Sequence, residues 1–267
     1  MAVCSKPKVR GLSLCSGIGG LDLGLERSVQ GYRTICYVER EAFPAAVLAA
    51  RMEEGSLFPA PIYSDLRSFD GFQWAGCVDI LLAGYPCQPY SLCGKGRGAD
   101  DPRHLWPEVF RIICEVQPRI VFLENVLGHV RRGLSDVLRD LASVGFNCEW
   151  GVFSAEEAGA PHLRKRVFAL AYSNGRGRQE QRLEEPAGEQ GEGWDKPYRR
   201  SQGGEQQHAS KRAGWPEVEP DVGRTVPNGF PRRVDRLRAI GNAVAPEQAA
   251  MAFRELYKRA TGRLQCD

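Results

Sequence analysis

The sequence predicts an α/β fold: a mostly parallel seven-stranded sheet with helices on both faces, plus a small irregular insert. Three observations predict it. Short apolar runs alternate with helix-period segments from residue 9 to about 172, a glycine-rich turn follows the first run, and acidic residues stand at the ends of later runs.

Taken in order, VRGLSLC, TICYVE, PIYSD, VDILLAG, RIVFLEN and CEWGVFSA read as strands, and RVFALAY as a seventh. Leu21, Leu25 and Val29 share one face of the first helix; Leu105, Val109, Ile113 and Val116 share another, and Leu134, Val137, Leu138 and Leu141 a third. After Ser173 the composition changes. Gly, Gln, Glu and Arg dominate to about Ala213, with Leu183, Trp194 and Tyr198 almost the only large apolar residues, so residues 174–213 are expected to be disordered on their own. Apolar residues return at Trp215, Val218, Val222, Val226 and Phe230, ahead of the basic stretch PRRVDRLR. Pro246 suits the first turn of a last helix whose apolar face is Ala249, Phe253, Leu256 and Ala260. Residues 1–172 and 239–267 thus read as one domain, and 173–238 as a short, partly disordered insert.

Composition narrows the class. The chain has 267 residues, 42% of them hydrophobic and 26% charged, as in an ordinary soluble globule. No apolar run is long enough to span a bilayer and the N-terminus has no secretory pattern, so a cytoplasmic protein without membrane contact is expected. Nine cysteines without a CxxC pair suggest neither a disulfide framework nor a zinc site, and no metal is expected. Cys15, Cys36, Cys77, Cys114 and Cys148 are expected as small buried hydrophobes. A net charge of +3 permits a polyanionic partner without requiring one.

SLCSGIGGLDLGL ends the first strand and opens the first helix, where a backbone turns tightly and comes close to a ligand. Its GxGG core is weak evidence alone. Glu39, about 20 residues on at the end of the second strand, is placed to bind ribose hydroxyls, and Asp65 ends the third strand in the same way. Residues at successive strand ends point to a shared crevice.

Cys87 lies in GYPCQPYS, past the fourth strand on the same rim. Gly84 and Pro86 fix the backbone around it, which presents a thiol rather than hiding it. The neighbouring strand ends in Glu124-Asn125-Val126, and Arg164 and Arg166 alternate to one side of the chain that leads into the seventh strand. Thiol, acid and two guanidiniums converge on one pocket; a loop salt bridge between Glu124 and an arginine is the simpler alternative.

These motifs, GxGG, two strand-end acids, GYPCQPYS, ENV, RxR and IGNAVAP, occur in the order of the C5-cytosine DNA methyltransferases, and the chain resembles that family outside about 173–238. The resemblance implies a Rossmann-like class I S-adenosylmethionine-dependent methyltransferase fold, with S-adenosylmethionine as methyl donor and double-stranded DNA as partner. It implies that Cys87 adds to C6 of a flipped cytosine, with Glu124 at ring N3, Arg166 at O2 and Arg164 supporting the cysteine loop beside Pro86. It assigns Leu14, Cys15, Gly17, Gly19, Gly20, Leu21, Glu39, Asp65, Leu66, Gly84, Asn242, Ala243 and Val244 to the cofactor pocket. Gln88, Ser91, Lys95, Arg97, Arg103, Arg232 and Arg233 are expected to meet DNA, with Lys95, Arg97 and Arg103 in the glycine-hinged stretch LCGKGRGADDPRH. Trp215 or Phe230 would stack or wedge where the base leaves the duplex. Two departures stand out: Cys15 stands where an aromatic residue is common, and His162 where glutamine is common. A monomer is expected. The rival functions are tRNA cytosine methylation on the same scaffold and a catalytically inactive DNA-binding homologue.

Overall fold

A strand whose residues are apolar without alternation must be covered on both faces, and the middle of this sheet is built from such strands. β4 (Ile80–Ala83) is buried at every residue, and β5 (Ile120–Val126) at all but its last. The computed structural model describes residues 8–86, 105–173, 239 and 241–263. Within them β1 (Val9–Leu14), β2 (Tyr32–Val38), β3 (Ile62–Tyr63), β6 (Phe146–Ser154) and β7 (Lys165–Ser173) complete a seven-stranded sheet in the order β3-β2-β1-β4-β5-β7-β6. β7 alone runs against its neighbours, pairing antiparallel with both β5 and β6. The sheet is therefore mostly parallel, as the sequence predicts.

Helices cover both faces. α3 (Trp106–Val116) and α5 (Leu134–Ser143) pack Val109, Ile112, Ile113, Val137 and Leu141 with Leu12, Leu81 and Val121 of the sheet. On the other face α1 (Gly20–Glu26) and α6 (Pro246–Arg263) pack Leu25, Phe253 and Leu256 with Ile80, Leu82, Phe122 and Phe168. Phe122 stacks on Phe168 at 5.6 Å and meets Phe253 edge-on at 5.2 Å. Burying each such ring contributes about 1.5–3 kcal/mol. α2 (Ala42–Glu53) follows β2, and a short α4 (His129–Arg132) follows β5.

α6 lies against α1. Ser28 donates to the Ala250 carbonyl at 3.2 Å, Arg27 pairs with Glu247, and Gly24 leaves room for Ala249. Beneath α1, Asp22 is fully buried and accepts from Ser13 Oγ at 3.0 Å and Thr34 Oγ1 at 2.7 Å. Burial pushes its carboxyl up to about 6, against the pull of those hydroxyls.

Several expectations need adjustment. β3 is two residues long, so Asp65 stands beyond the strand and not at its end. Leu105 caps α3 from outside while Trp106 takes the buried position, and Leu138 is half-buried. Cys36 is buried and Cys15 and Cys148 are partly so, but Cys77 and Cys114 are exposed. Cys114 falls on the outer side of α3, between buried Ile113 and Val116, and Cys77 lies in the turn before β4. The insert expected over 173–238 lies, except for Ser173, outside the described residues.

Candidate active site

The strand order reverses at β1, whose neighbours are β2 and β4, so a crevice opens beyond the carboxyl ends of β1 and β4. The loop that fills its rim, residues 15–19, has Cys15, Gly17 and Gly19 at φ of 51°, 55° and 80°. At Cys15, which has a Cβ, that conformation costs about 1–2 kcal/mol.

This loop is held by its backbone. Glu39 Oε2 accepts the Gly17 N–H at 2.7 Å while its Oε1 accepts the Glu41 N–H at 2.7 Å. Arg51 reaches from α2 and donates to the Ile18 carbonyl at 2.6 Å. Burial pushes the Glu39 carboxyl upward, and the backbone donors hold it back. A Cβ at Gly20 would collide with the Val244 carbonyl oxygen, so only glycine lets the start of α1 meet the segment before α6.

The resulting cleft encloses about 290 Å³ between Cys15–Ile18, Gly20, Leu21, Gly84, Glu124 and Asn242–Val244. Glu124 forms the wall opposite the loop. It is 7% exposed, and its Oε1 lies 3.0 Å from Arg166 Nε. The antiparallel register brings this about, because Val126 of β5 pairs with Arg166 of β7. Burial pushes the Glu124 carboxyl up to about 7, outweighing the downward pull of Arg166 and then Arg164. Near neutrality this carboxyl exists in both protonation states.

Arg164 serves a different contact. Its Nη2 donates to the Gly241 carbonyl at 2.8 Å and also to that of Ala243, so it clasps the segment before α6 onto the sheet. Gln248, fully buried in the first turn of α6, donates from Nε2 to the carbonyls of Phe153 at 2.9 Å and Arg164 at 2.8 Å. One amide thus secures the loop end of the β6–β7 hairpin to the first turn of α6.

The approach to GYPCQPYS is anchored as well. Asn125 donates to the Tyr85 carbonyl at 3.2 Å, and the Tyr85 hydroxyl lies 2.9 Å from His129 Nε2. Trp106 packs on the Tyr85 ring at 5.5 Å. A smaller space of about 200 Å³ lies among Tyr85, Glu124, Asn125 and His129.

Of the residues singled out by sequence, Cys15, Gly17, Gly20, Leu21, Gly84, Glu124, Asn242, Ala243 and Val244 meet at the cleft. Glu39 stands behind the loop and Gly19 packs on Leu48 and Leu57. Leu14 and Leu66 are in the core. Asp65 is exposed, its Oδ1 accepts the Arg67 N–H at 3.0 Å, and it is not among the residues lining the cleft. Pro86 is exposed and His162 half-exposed. Cys87, Gln88, Ser91, Lys95, Arg97, Arg103, Trp215, Phe230, Arg232 and Arg233 lie outside the described residues. The sequence reading missed Arg51, Gln248, Asp22 and the Tyr85–His129 pair. Only Asp22 carried a local signal, a carboxylate set between Leu21 and Leu25 on the apolar side of a helix.

Among the described residues no group of three or more His, Cys, Asp or Glu side chains could hold a metal ion, and no helix is long and apolar enough to cross a membrane.

The model of the family described as C-5 cytosine-specific DNA methylase matches residues 9–212. The chain is 34% identical over 172 residues to the type II methyltransferase M.NgoMIV of Neisseria gonorrhoeae, covering 61% of this chain and 51% of that protein. It is 32% identical over 172 residues to M.NaeI of Lentzea aerocolonigenes, covering 61% and 40%. The chain therefore spans about half, or less, of the length of these relatives. Among solved structures, the S. pombe Dnmt2 methyltransferase aligns with a TM-score of 0.52 at 21% identity over 64% of this chain and 53% of its own. A putative DNA modification methyltransferase from an E. coli prophage aligns at 0.51 and 24% identity, over 62% and 47%. These two likenesses establish a shared fold.

Proposed function

The chain belongs to the C-5 cytosine-specific DNA methylase family, and from that premise we propose that it transfers a methyl group from S-adenosylmethionine to C5 of a flipped cytosine in double-stranded DNA. One observation carries this reading beyond membership: the buried Glu124 carboxyl borders the cleft behind the glycine loop and is held by Arg166 from the adjoining strand. A cofactor and a base brought to that carboxyl from opposite sides would have their reacting atoms adjacent.

The residues present fit an adenosylated cofactor. Backbone at Cys15–Gly17 lies open to the cleft, Gly20 admits the Val244 carbonyl, and Glu39 holds the loop in shape from behind. When bound, S-adenosylmethionine supplies an electrophilic methyl on a sulfonium, which leaves as a neutral thioether. Asn242–Val244 would close this pocket, and Arg164 keeps that segment in place.

C5 of cytosine is a weak nucleophile because its electrons belong to an aromatic ring. In the proposed reaction the Cys87 thiolate adds to C6 while protonated Glu124 gives its proton to N3, so the C6–S bond forms and C5 gains enamine character. C5 then takes the methyl group. Loss of the C5 proton to a base, expulsion of the thiolate and return of the N3 proton to Glu124 restore the ring and the site. Arg166, fixed against Glu124, is placed to hold the base at O2. The target atoms lie inside paired DNA, so the nucleotide must leave the stack to reach this site.

The decisive experiment uses duplex DNA in which 5-fluorocytosine replaces the target, since fluorine at C5 blocks the final elimination. The native protein with S-adenosylmethionine is expected to form a denaturant-resistant adduct, and Cys87→Ser to form none. An adduct in the serine variant removes Cys87 from the role; methyl transfer to tRNA but not to duplex DNA reassigns the substrate.

A further inference from the structure

β5 and β7 run antiparallel with Val126 opposite Arg166, so the end of one and the start of the other open on the rim that carries Glu124. Just outside that register stand Leu127, 46% exposed, and Leu163, 66% exposed. Lys165, two residues after Leu163 and paired in register with Ser154, is exposed. α4 begins two residues after Leu127. Its first residue, His129, is buried and lies against Tyr85, which fixes how the short helix is turned. Steps of about 100° per residue put Arg131 roughly 200° from His129, facing outward, and Arg131 and Arg132 are both exposed.

Glu157 accepts the Ser154 N–H at 2.8 Å, and Asp136 pairs with Arg139 at 2.9 Å; Glu156 is the exposed one in the turn after β6. A rim with cations on two neighbouring elements and exposed leucines beside them favours a ligand that is both anionic and apolar. The sugar-phosphate backbone has that character, and a free phosphate does not.

We propose that Arg131, Arg132 and Lys165 form a docking rim for the phosphates of duplex DNA next to the target cytosine. This rests on the methyl-transfer reading above and extends it to residues outside the cleft. Their contribution is electrostatic and independent of sequence, positioning the duplex so that the extruded base meets Glu124 and Arg166.

The test is the salt dependence of duplex binding by the full chain. For the triple variant R131Q/R132Q/K165Q, the slope of log K against log salt is expected to flatten by about 0.9 for each phosphate no longer neutralised, roughly 2–3 in all. Arg33→Gln removes one charge from β2, on the side of the sheet away from β7, and is expected to leave the slope unchanged. Thermal melting verifies folding; should the triple variant melt early, K165Q and R131Q alone are each expected to flatten the slope by about 0.9. A native slope in the variants, equal flattening in Arg33→Gln, or flattening with tRNA but not duplex DNA would each overturn the proposal. The outcome separates from failure of the parent reading: a native protein that neither binds duplex nor transfers methyl defeats that reading, whereas a methylating protein with unaltered variant slopes defeats only the rim.

Discussion

On one wall of the cleft, Glu39 and Arg51 grip residues 17 and 18 by their amide and carbonyl groups, while on the other Glu124 and Arg166 face each other through their side chains. The first wall is a shaped stretch of backbone, largely indifferent to which side chains decorate it. It accommodates Cys15 at a φ of 51°. The second wall is a side-chain ion pair, in which burial pushes the Glu124 carboxyl up against the pull of Arg166. Chemistry and shape are thus divided between β5–β7 and the loop after β1.

The division is broken most severely at Glu124. Glu124→Gln keeps the shape but cannot release a proton, so kcat is expected to fall about 100- to 10,000-fold with little change in cofactor affinity. Single-turnover methylation and calorimetric titration with S-adenosylhomocysteine measure the two effects; equal loss of both would mean that the walls are not separable. The native enzyme should show the complementary pH effect. With the Glu124 carboxyl titrating near 7, its protonated fraction falls as pH rises through that value, so the activity that depends on it declines on the alkaline side. The glutamine variant should lose that decline.

Gly20→Val attacks the opposite wall by driving a side chain into the Val244 carbonyl. Overpacking of this kind costs about 1–3 kcal/mol, visible as a lower urea midpoint. Cofactor affinity should fall about tenfold or more while any residual kcat stays near native, the reverse of the Glu124 pattern.

A smaller effect is expected where the walls are joined. Gln248→Leu leaves the Phe153 carbonyl without its amide donor, a loss of about 1–3 kcal/mol in denaturant unfolding. Because the same amide reaches Arg164, the variant should weaken cofactor affinity and lower kcat together. The mildest change is Arg51→Gln. Losing a charge-assisted bond to one loop carbonyl should raise KM for S-adenosylmethionine severalfold, about 1 kcal/mol, with kcat unchanged.

The same contrast explains what could be read from the sequence. The seven strands announce themselves because unbroken apolar runs such as VDILLA and RIVFL have no stable place except between two layers. Glycine spacing and Glu39, directly after β2, locate the crevice because topology dictates where a doubly wound sheet opens. α2 carries no comparable signal, since its buried residues are few, Pro44 and Leu48, and its apolar stripe is faint. The contacts of Arg51, Gln248 and Asp65 are hydrogen bonds to backbone groups. Such groups are the same in every residue and leave no mark in a sequence. Arg164 illustrates the limit best: its spacing from Arg166 is legible, but its grip on Gly241 and Ala243 depends on where a distant helix docks.

The meeting of α6 with α1 has a consequence during synthesis. Val244 and its neighbours are among the last parts of the described chain to leave the ribosome, yet they supply one side of the cleft that Gly20 begins. A growing chain can assemble most of its sheet long beforehand and still have only an open trough where the donor should sit. Competence to bind would then arrive only when α6 has been made and seats itself on α1.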